Sequence, residues 1–563
     1  MKLIRVKPRL KPNLPDYRIA KKFRWKDYYK EVDFFSGRLN AAYNAVDRHD
    51  VPNKVALYWE DEKGSREFTF REIKNLSNRF ANVLKKLGVK KGDRVFIFLP
   101  RVPELYISFL GILKTGAIAG TLFAAFGPRA LKDRLGNSSA KVLITNASLK
   151  KRVSEIRKEL PDLKKIIVID RPGKGDVSYK KEMSKASRSF KVKMLKPDEP
   201  AFMLYTSGTT GKPKGVIHCH KAIVQQHLTA KWVLDLKPKD IYWCTADPGW
   251  VTGIAYGILG SWSNKASSVV YAGRFDPEKW YSLIEKYQVS VFYTAPTAIR
   301  MLMKAGKAYK KYNMSSLRHM CSVGEPLNPE PIYWSLKAFG LPFHDNWWQT
   351  EAGGVLIANY PCMPIKPGSM GKPFPGIEAA IVDNKGNKLR ANKEGNLAIK
   401  PGWPSMMLKI WKNREKYRSY FKKGWYISGD KAFVDKDGYY WFIGRADDVI
   451  KTGGERVGPF EVESALIEHK AIIEAAVIGK PDPLRGEIIK AFLILAKGYK
   501  PSKKLEEEIK VFIKKRFAGH AYPREIEFVN SLPKTQSGKI VRRLLKAREL
   551  GLPTGDVSTI EKY

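Results

Sequence analysis

Between residues 40 and 200, short apolar runs alternate with stretches of helical period. Arg94-Val95-Phe96-Ile97-Phe98-Leu99 follows a Gly-Asp turn and stops at Pro100, which predicts a buried strand. A helix is expected from about Glu104. The most apolar run is Tyr106 to Gly127, interrupted by Lys114. Beyond that lysine the apolar piece falls short of the ~20 residues a bilayer span needs, so a buried helix feeding a buried strand is predicted. Val142-Leu143-Ile144-Thr145 and Ile166-Ile167-Val168-Ile169-Asp170 read as further strands, and the alternation recurs from Tyr242 to Phe343. Alternating strands and helices are the signature of α/β sheets flanked by helices. From about Ser369 to Phe442, short strands between Gly turns predict a small β subdomain.

The pattern changes after Gly444-Arg445. Helices are predicted over Pro459–Ile467 and Leu505–Arg516, with strands over Glu474–Ile478, Ile488–Leu495 and Glu525–Val529. That is a compact α+β unit. A chain of 563 residues exceeds the roughly 250–300 at which single cores stop growing. The expected division is 1–445 and 446–563. No internal repeat or low-complexity segment is evident.

Charge adds a second set of options. The net charge is +46, which suits nucleic acid, a membrane surface or anionic substrates. The lysines are dispersed in pairs such as Lys90-Lys91 and Lys310-Lys311, with neither a basic arm nor a nucleic-acid motif. A solvated surface bias fits better than a nucleic-acid-binding protein, the alternative from another class. The basic N-terminus lacks a continuous apolar stretch and is not read as a secretory signal. Cys219, Cys244, Cys321 and Cys362 form no C-x-x-C pair, so a reducing, cytoplasmic setting is expected. His218-Cys219-His220 follows a strand-like run with no matching partner cluster, which speaks against a metal site.

The sharpest chemistry lies in Tyr205-Thr206-Ser207-Gly208-Thr209-Thr210-Gly211-Lys212-Pro213-Lys214-Gly215, directly after the apolar run Ala201 to Leu204. Its glycines let backbone N–H groups turn toward a ligand, and its hydroxyls and lysines add donors and charge. These are the needs of a loop that wraps polyphosphate. Pro213 after Lys212 separates it from a Walker A loop. Five further motifs follow in order: Gly324-Glu325-Pro326, Trp347-Trp348-Gln349-Thr350-Glu351, Tyr426-Ile427-Ser428-Gly429-Asp430, Gly444-Arg445-Ala446-Asp447-Asp448 and Pro533-Lys534-Thr535-Gln536-Ser537-Gly538-Lys539.

The ordered set resembles the adenylate-forming superfamily of acyl-coenzyme A synthetases, firefly luciferase and peptide-synthetase adenylation domains. Within it, the resemblance is to the AMP-forming acetyl-coenzyme A synthetases in their shorter form. It covers nearly the whole chain and includes Cys244-Thr245-Ala246-Asp247-Pro248-Gly249-Trp250-Val251-Thr252-Gly253 and Gly458-Pro459-Phe460-Glu461-Val462-Glu463-Ser464. The fold it implies is a large N-terminal α/β domain with a small β subdomain, followed by a small mobile α+β domain.

The resemblance also implies roles. Gly324, Glu325 and Pro326 would line the adenine pocket, Asp430 would take the ribose hydroxyls, and Arg445 would hold the ribose–phosphate region. Thr206, Ser207, Gly208, Thr209, Thr210, Gly211, Lys212 and Lys214 would wrap phosphates, with Asp345, Asn346, Trp347, Trp348, Gln349 and Thr350 completing the ATP site. Glu351 would ligate Mg²⁺, a hard cation suited to carboxylate oxygen. Lys539 would offset the charge crowded at the α-phosphate during adenylation. The C-terminal domain would then rotate about a hinge at Asp447. Rotation would bring in Gly453 and Gly454 for coenzyme A and set Arg456 by the adenylate. Ala298 and Lys514 would also contact coenzyme A, and Ile467, His469 and Ile472 match a loop that binds a second Mg²⁺ in relatives. Acetylation of Lys539 would remove its charge, which makes a lysine acetyltransferase and deacetylase expected partners.

Val251, Thr252, Val323 and Trp348 match the acyl pocket. An indole at its floor leaves room for one or two carbons beyond the carboxylate, so acetate is expected and propionate is the alternative. Asn346 and Ala352 both stand where acetate enzymes usually carry threonine, and residues 146–152 match the coenzyme A-contacting stretch loosely. No carrier-protein serine motif follows Lys539, which speaks against a module that loads a carrier.

Overall fold

The computed structural model describes residues 3–5, 7–49, 51–206, 213–446, 448–452, 455–483, 485–516, 522–534, 540–552, 554 and 557. Side chains are not described for residues 451, 455, 456, 515 and 516.

The predicted alternation builds two large sheets. In the first, Ile118–Leu122, Arg94–Phe98, Val142–Thr145 and Lys165–Val168 run parallel, and Pro200–Thr206 joins beside Ile118–Leu122. Lys214–Cys219 returns antiparallel to Pro200–Thr206, so the Thr/Gly/Lys-rich loop is the link of this hairpin. In the second, Val55–Glu60, Ser267–Tyr271, Ile241–Cys244, Val291–Thr294, His319–Ser322 and Phe343–Trp347 run parallel side by side. These strands are buried along nearly their whole length, as strands covered on both faces are, although His319–Ser322 and Phe343–Trp347 carry buried polar side chains.

The predicted buried helix is Pro103–Thr115, apolar all round and packed against the helix Phe70–Lys86. The latter starts on a capping box, with the Thr69 hydroxyl accepting from the Glu72 N–H and the Glu72 carboxylate accepting from the Thr69 N–H. Lys114 does not snorkel; it is fully buried. Its ammonium donates to Asp47 at 2.9 Å, Ser77 Oγ at 2.8 Å and Asn78 Oδ1 at 2.8 Å. Three donors meet three acceptors, which offsets the several kcal/mol that burying an ion costs.

The β subdomain is narrower than the sequence pattern suggests. Its sheet holds Ala379–Val382, Gly395–Ile399, Trp425–Val434, Phe421–Lys422 and Tyr440–Arg445. Lys372–Pro373 joins the second large sheet, and Lys409–Ile410 returns to the first, pairing with Val216 and Ile217. Two-residue strands carry no period, so their partners are set by the tertiary fold.

Beyond Arg445, a separate sheet is built from Glu455–Val457, Ile450–Thr452, Gly486–Leu495, Ile472–Asp482 and Glu525–Phe528. The predicted helices are Pro459–Ile467 and Lys503–Arg516, and the unit has its own apolar core around Val462, Leu466, Val477, Leu493, Ile509 and Ile513. It touches the larger part through Phe460 against Phe442 and through Asn328, which donates to Ser464 Oγ at 2.6 Å. No helix among the described residues is long and apolar enough to cross a membrane.

Candidate active site

The parallel strands of the second sheet deliver their carboxyl ends to one side, where α/β sheets place ligands. Ile241–Cys244 leads to Val251 and Thr252, Val291–Thr294 to Ala298, and His319–Ser322 to Val323, Gly324, Glu325 and Pro326. Phe343–Trp347 carries Asp345 and Asn346 and leads to Trp348, Gln349, Thr350 and Glu351. The first sheet reaches the same region from Ile118–Leu122. Thr121 Oγ1 donates to the Pro248 carbonyl at 2.6 Å, and Phe123 stacks edge-on against Trp250 at 4.6 Å.

Asp430 is the hub of one half. It is buried, and its Oδ2 accepts from Trp347 Nε1 at 2.9 Å and from Gln349 Nε2 at 3.0 Å. Its Oδ1 accepts from Arg445 at 2.8 Å, across the antiparallel register that pairs the two residues. Two donors fill the acceptor capacity of Oδ2 and leave a lone pair on Oδ1. Tyr426 donates to Gln349 Oε1 at 2.8 Å and so fixes which way the amide faces.

Glu351 lies beyond this hub, accepting from the Tyr420 hydroxyl at 2.8 Å. Lys214 stands nearby at the start of its strand. Burial and the adjacent Lys416 ammonium pull its pKa below the usual lysine value, with Glu351 acting in the opposite sense. Of these groups, the Glu351 carboxylate is the one whose oxygen chemistry would suit Mg²⁺.

Gly324 has φ +99° in open space, a conformation that a side chain at this turn would strain. Next to it, Glu325 accepts from Thr297 Oγ1 at 2.8 Å and from Arg300 at 2.9 Å. Asp345 is fully buried, which pushes its carboxyl well above the usual range. It accepts from the Asn346 N–H at 3.0 Å.

Val251, Val323, Trp348 and Tyr256 are all buried in the main apolar core, and Thr252 is buried beside Val251. Trp348 stands edge-on to Tyr256, with ring centroids 5.2 Å apart and planes at 85°. Val251 and Thr252 open a continuous helix, Val251–Ile254, whose next residues Ala255–Leu259 form a π turn that turns Tyr256 inward. Tyr256 Oη pairs with Thr229 at 2.7 Å and accepts from the Val355 N–H at 2.7 Å. Asn346 Oδ1 accepts from Tyr293 at 2.9 Å. Asn346 Nδ2 and Trp348 Nε1 are buried donors without a partner among the described residues. Ala352, the other departure, is wholly buried, and its carbonyl accepts from Trp403 at 2.9 Å and Ser405 at 2.8 Å.

The remaining residues of the C-terminal unit are only partly in view. Lys514 is exposed, its ammonium 4.1 Å from the Tyr522 ring centre. His469 is buried, with Nδ1 accepting from the Ala471 N–H at 3.3 Å and Nε2 facing Glu508 at 3.3 Å. Its carbonyl accepts from the Ile472 N–H at 2.9 Å, which closes the turn after Ile467. Ser207, Gly208, Thr209, Thr210, Gly211, Lys212, Asp447, Gly453, Gly454 and Lys539 lie outside the described residues, as does the side chain of Arg456. Sequence reasoning missed Tyr256, Tyr293, Lys416 and Tyr420. Their local contexts read as ordinary core or surface, and no motif flags them.

A profile described as "AMP-binding enzyme" matches residues 45–411, and one described as "AMP-binding enzyme C-terminal domain" matches residues 461–539. The chain belongs to the AMP-binding enzyme family. It is 58% identical to the acetyl-coenzyme A synthetase of Bacillus subtilis over 93% of both chains. It is 43% identical to that of Methanothrix thermoacetophila, over 94% of this chain and 85% of the relative. Among solved structures, an anthranilate CoA ligase in complex with anthranoyl-AMP superposes with a TM-score of 0.86 at 34% identity, covering 94% of this chain and 99% of that one. An acyl-CoA synthetase of Brucella canis gives a TM-score of 0.75 at 36% identity, over 95% and 99% of the two chains.

Proposed function

We propose that this family member is an acetate–CoA ligase that converts acetate, ATP and coenzyme A to acetyl-CoA, AMP and diphosphate through a bound acetyl-adenylate. The observation that carries this reading is the 58% identity, over 93% of both chains, to an acetyl-coenzyme A synthetase. The buried indole of Trp348, edge-on to Tyr256 in the main core, supports the same acid.

The residues divide between the two half-reactions. Gly324, Glu325 and Pro326 border the adenine, and Asp430 Oδ1 and Arg445 receive the ribose side. Thr206, the loop after it and Lys214 hold the β- and γ-phosphates. Glu351 would hold Mg²⁺, which would supply neutralisation of phosphate charge. The acetate carboxylate attacks the α-phosphorus and diphosphate leaves, with Lys539 countering the charge at that centre. The thiol of coenzyme A then attacks the acyl carbonyl and AMP leaves. We assign the first step to the part spanning 1–445 with Lys539 in place. The second follows rotation of 446–563 about Asp447, which presents Gly453, Gly454 and Arg456, with Ala298 and Lys514 toward coenzyme A. Modification of Lys539 by a lysine acetyltransferase, reversed by a deacetylase, would regulate the first step in the cytoplasm. A weak second cation at Ile467, His469 and Ile472 belongs to the same reading.

Product analysis tests it. With acetate, ATP, Mg²⁺ and coenzyme A, AMP and diphosphate should appear in step with acetyl-CoA. ADP and orthophosphate in their place would contradict the adenylate route.

A further inference from the structure

A lysine outside every motif stands in the phosphate region. Lys409–Ile410 pairs with Val216 and Ile217 of the strand that begins at Lys214, and the Trp411 N–H donates to the Gly215 carbonyl at 2.7 Å. The chain then turns into the short helix Arg414–Ser419, capped by Asn413, whose Oδ1 accepts from the Lys416 N–H at 2.8 Å. This route returns the chain to the strand that Lys214 begins, and the Lys416 ammonium is close enough to that of Lys214 to act on it electrostatically.

The position is held. The Lys416 ammonium lies 5.0 Å from the centre of the Tyr420 ring. Tyr420 in turn donates to Glu351 and stacks on Tyr426 at 5.7 Å with planes 14° apart. Two lysine ammoniums placed together repel, and a sequence gains nothing from such a pair unless an anion joins them. Neither one forms an ion pair with another described residue. The carboxylates close by are already engaged: Glu351 with Tyr420, and Asp430 with Arg445, Trp347 and Gln349. Lys214 and Lys416 thus stand as two cations beyond the engaged carboxylates, Lys214 opening the strand that follows Thr206 in the hairpin and Lys416 following the strand paired with it.

We infer that Lys416 is a further phosphate-binding residue, which with Lys214 grips the diphosphate portion of ATP and the diphosphate that leaves. The inference rests on the adenylate-forming reading and adds a residue to its phosphate site. The β- and γ-phosphates are favoured over the α-phosphate because Lys214, which the proposed function assigns to them, is the ammonium that Lys416 accompanies.

The test compares Lys416→Met, Lys416→Arg and Arg418→Met in acetate-dependent ATP–diphosphate exchange and in inhibition by inorganic tripolyphosphate. Removing a charge-assisted contact should raise the KM for ATP and the tripolyphosphate inhibition constant by about tenfold in Lys416→Met. The KM for acetate should stay within about twofold, and Lys416→Arg should restore most of the loss. Arg418→Met removes one charge from the same helix and should leave all values unchanged. An unchanged KM for ATP in Lys416→Met, or an equal rise in Arg418→Met, overturns the inference. If Lys416→Met melts early, Lys416→Gln takes its place under the same criteria. Absence of exchange in the wild type strikes the underlying reading and is thereby distinct from failure of Lys416 alone.

Discussion

At Trp348 the proposed function makes a single side chain the limit on acid length. Its indole is buried edge-on to Tyr256, and Val251 and Val323 lie in the same core. Replacing it with glycine removes a ring that buries roughly 150–250 Å². Trp348→Gly should lower kcat/KM for acetate at least tenfold and raise it for acids of four to eight carbons, each added methylene recovering about 1–3 kcal/mol. An unchanged chain-length profile in a substrate panel would remove Trp348 from the pocket. The residues legible in the sequence were those set in dense local motifs, such as Asp430 after Gly429 and Glu351 after Thr350. Tyr256, Tyr293 and Tyr420 were not legible, because what each one does depends on a partner 53 to 99 positions away in sequence, as Tyr293 with Asn346, Tyr420 with Glu351 and Tyr256 with Val355. Asn346, a departure from the usual threonine, accepts from Tyr293 through its amide oxygen.

At the scale of elements, the helix opening at Val251 is seated by Gly253. A Cβ there would come within 2.4 Å of the Asp247 carbonyl oxygen, and backbone cannot yield as a flexible side chain does. Gly253→Ala should therefore push the helix start off the Asp247–Pro248 turn, destabilising the fold by about 1–3 kcal/mol and raising the KM for acetate. Thermal melting and acetate titration check this, and a melting point equal to wild type would show that the turn yields freely. Elements with clear apolar runs or a Gly-Pro start were read from sequence nearly to the residue, as with Val142–Thr145 and Pro459–Ile467. The strand expected at Glu474–Ile478 runs from Ile472 to Asp482, because its partner Gly486–Leu495 continues the ladder past the apolar stretch. Lys409–Ile410 was expected in the β subdomain and sits in the first sheet instead. That pairing is what brings Lys416 to Lys214.

At the scale of the whole molecule, the contact between the two parts carries a titratable group. Burial and the neighbouring Glu394 push Glu461 up to about 7, with only the Gly458 N–H drawing it down. Glu461 lies on the helix Pro459–Ile467, which packs on the strand Tyr440–Arg445. The docked state therefore binds its proton more tightly than a free carboxyl titrating near 4.5. Its contribution is fully present below pH 4.5 and is lost as pH rises through about 7. Glu461→Gln should remove that slope, raising the melting temperature by about 2–4 °C at pH 8 and leaving it nearly unchanged at pH 4.5. Equal shifts at both values would contradict a proton-linked contact. The net charge of +46, which alone admitted several functions, is thus secondary to where a few charges are placed. Activation of a small acid as its adenylate is read most directly by ATP–diphosphate exchange without coenzyme A across acids of two to eight carbons. Rapid exchange with acetate, slower exchange with propionate and none with octanoate are expected. Exchange that is absent with acetate, or fastest with octanoate, would contradict that activation.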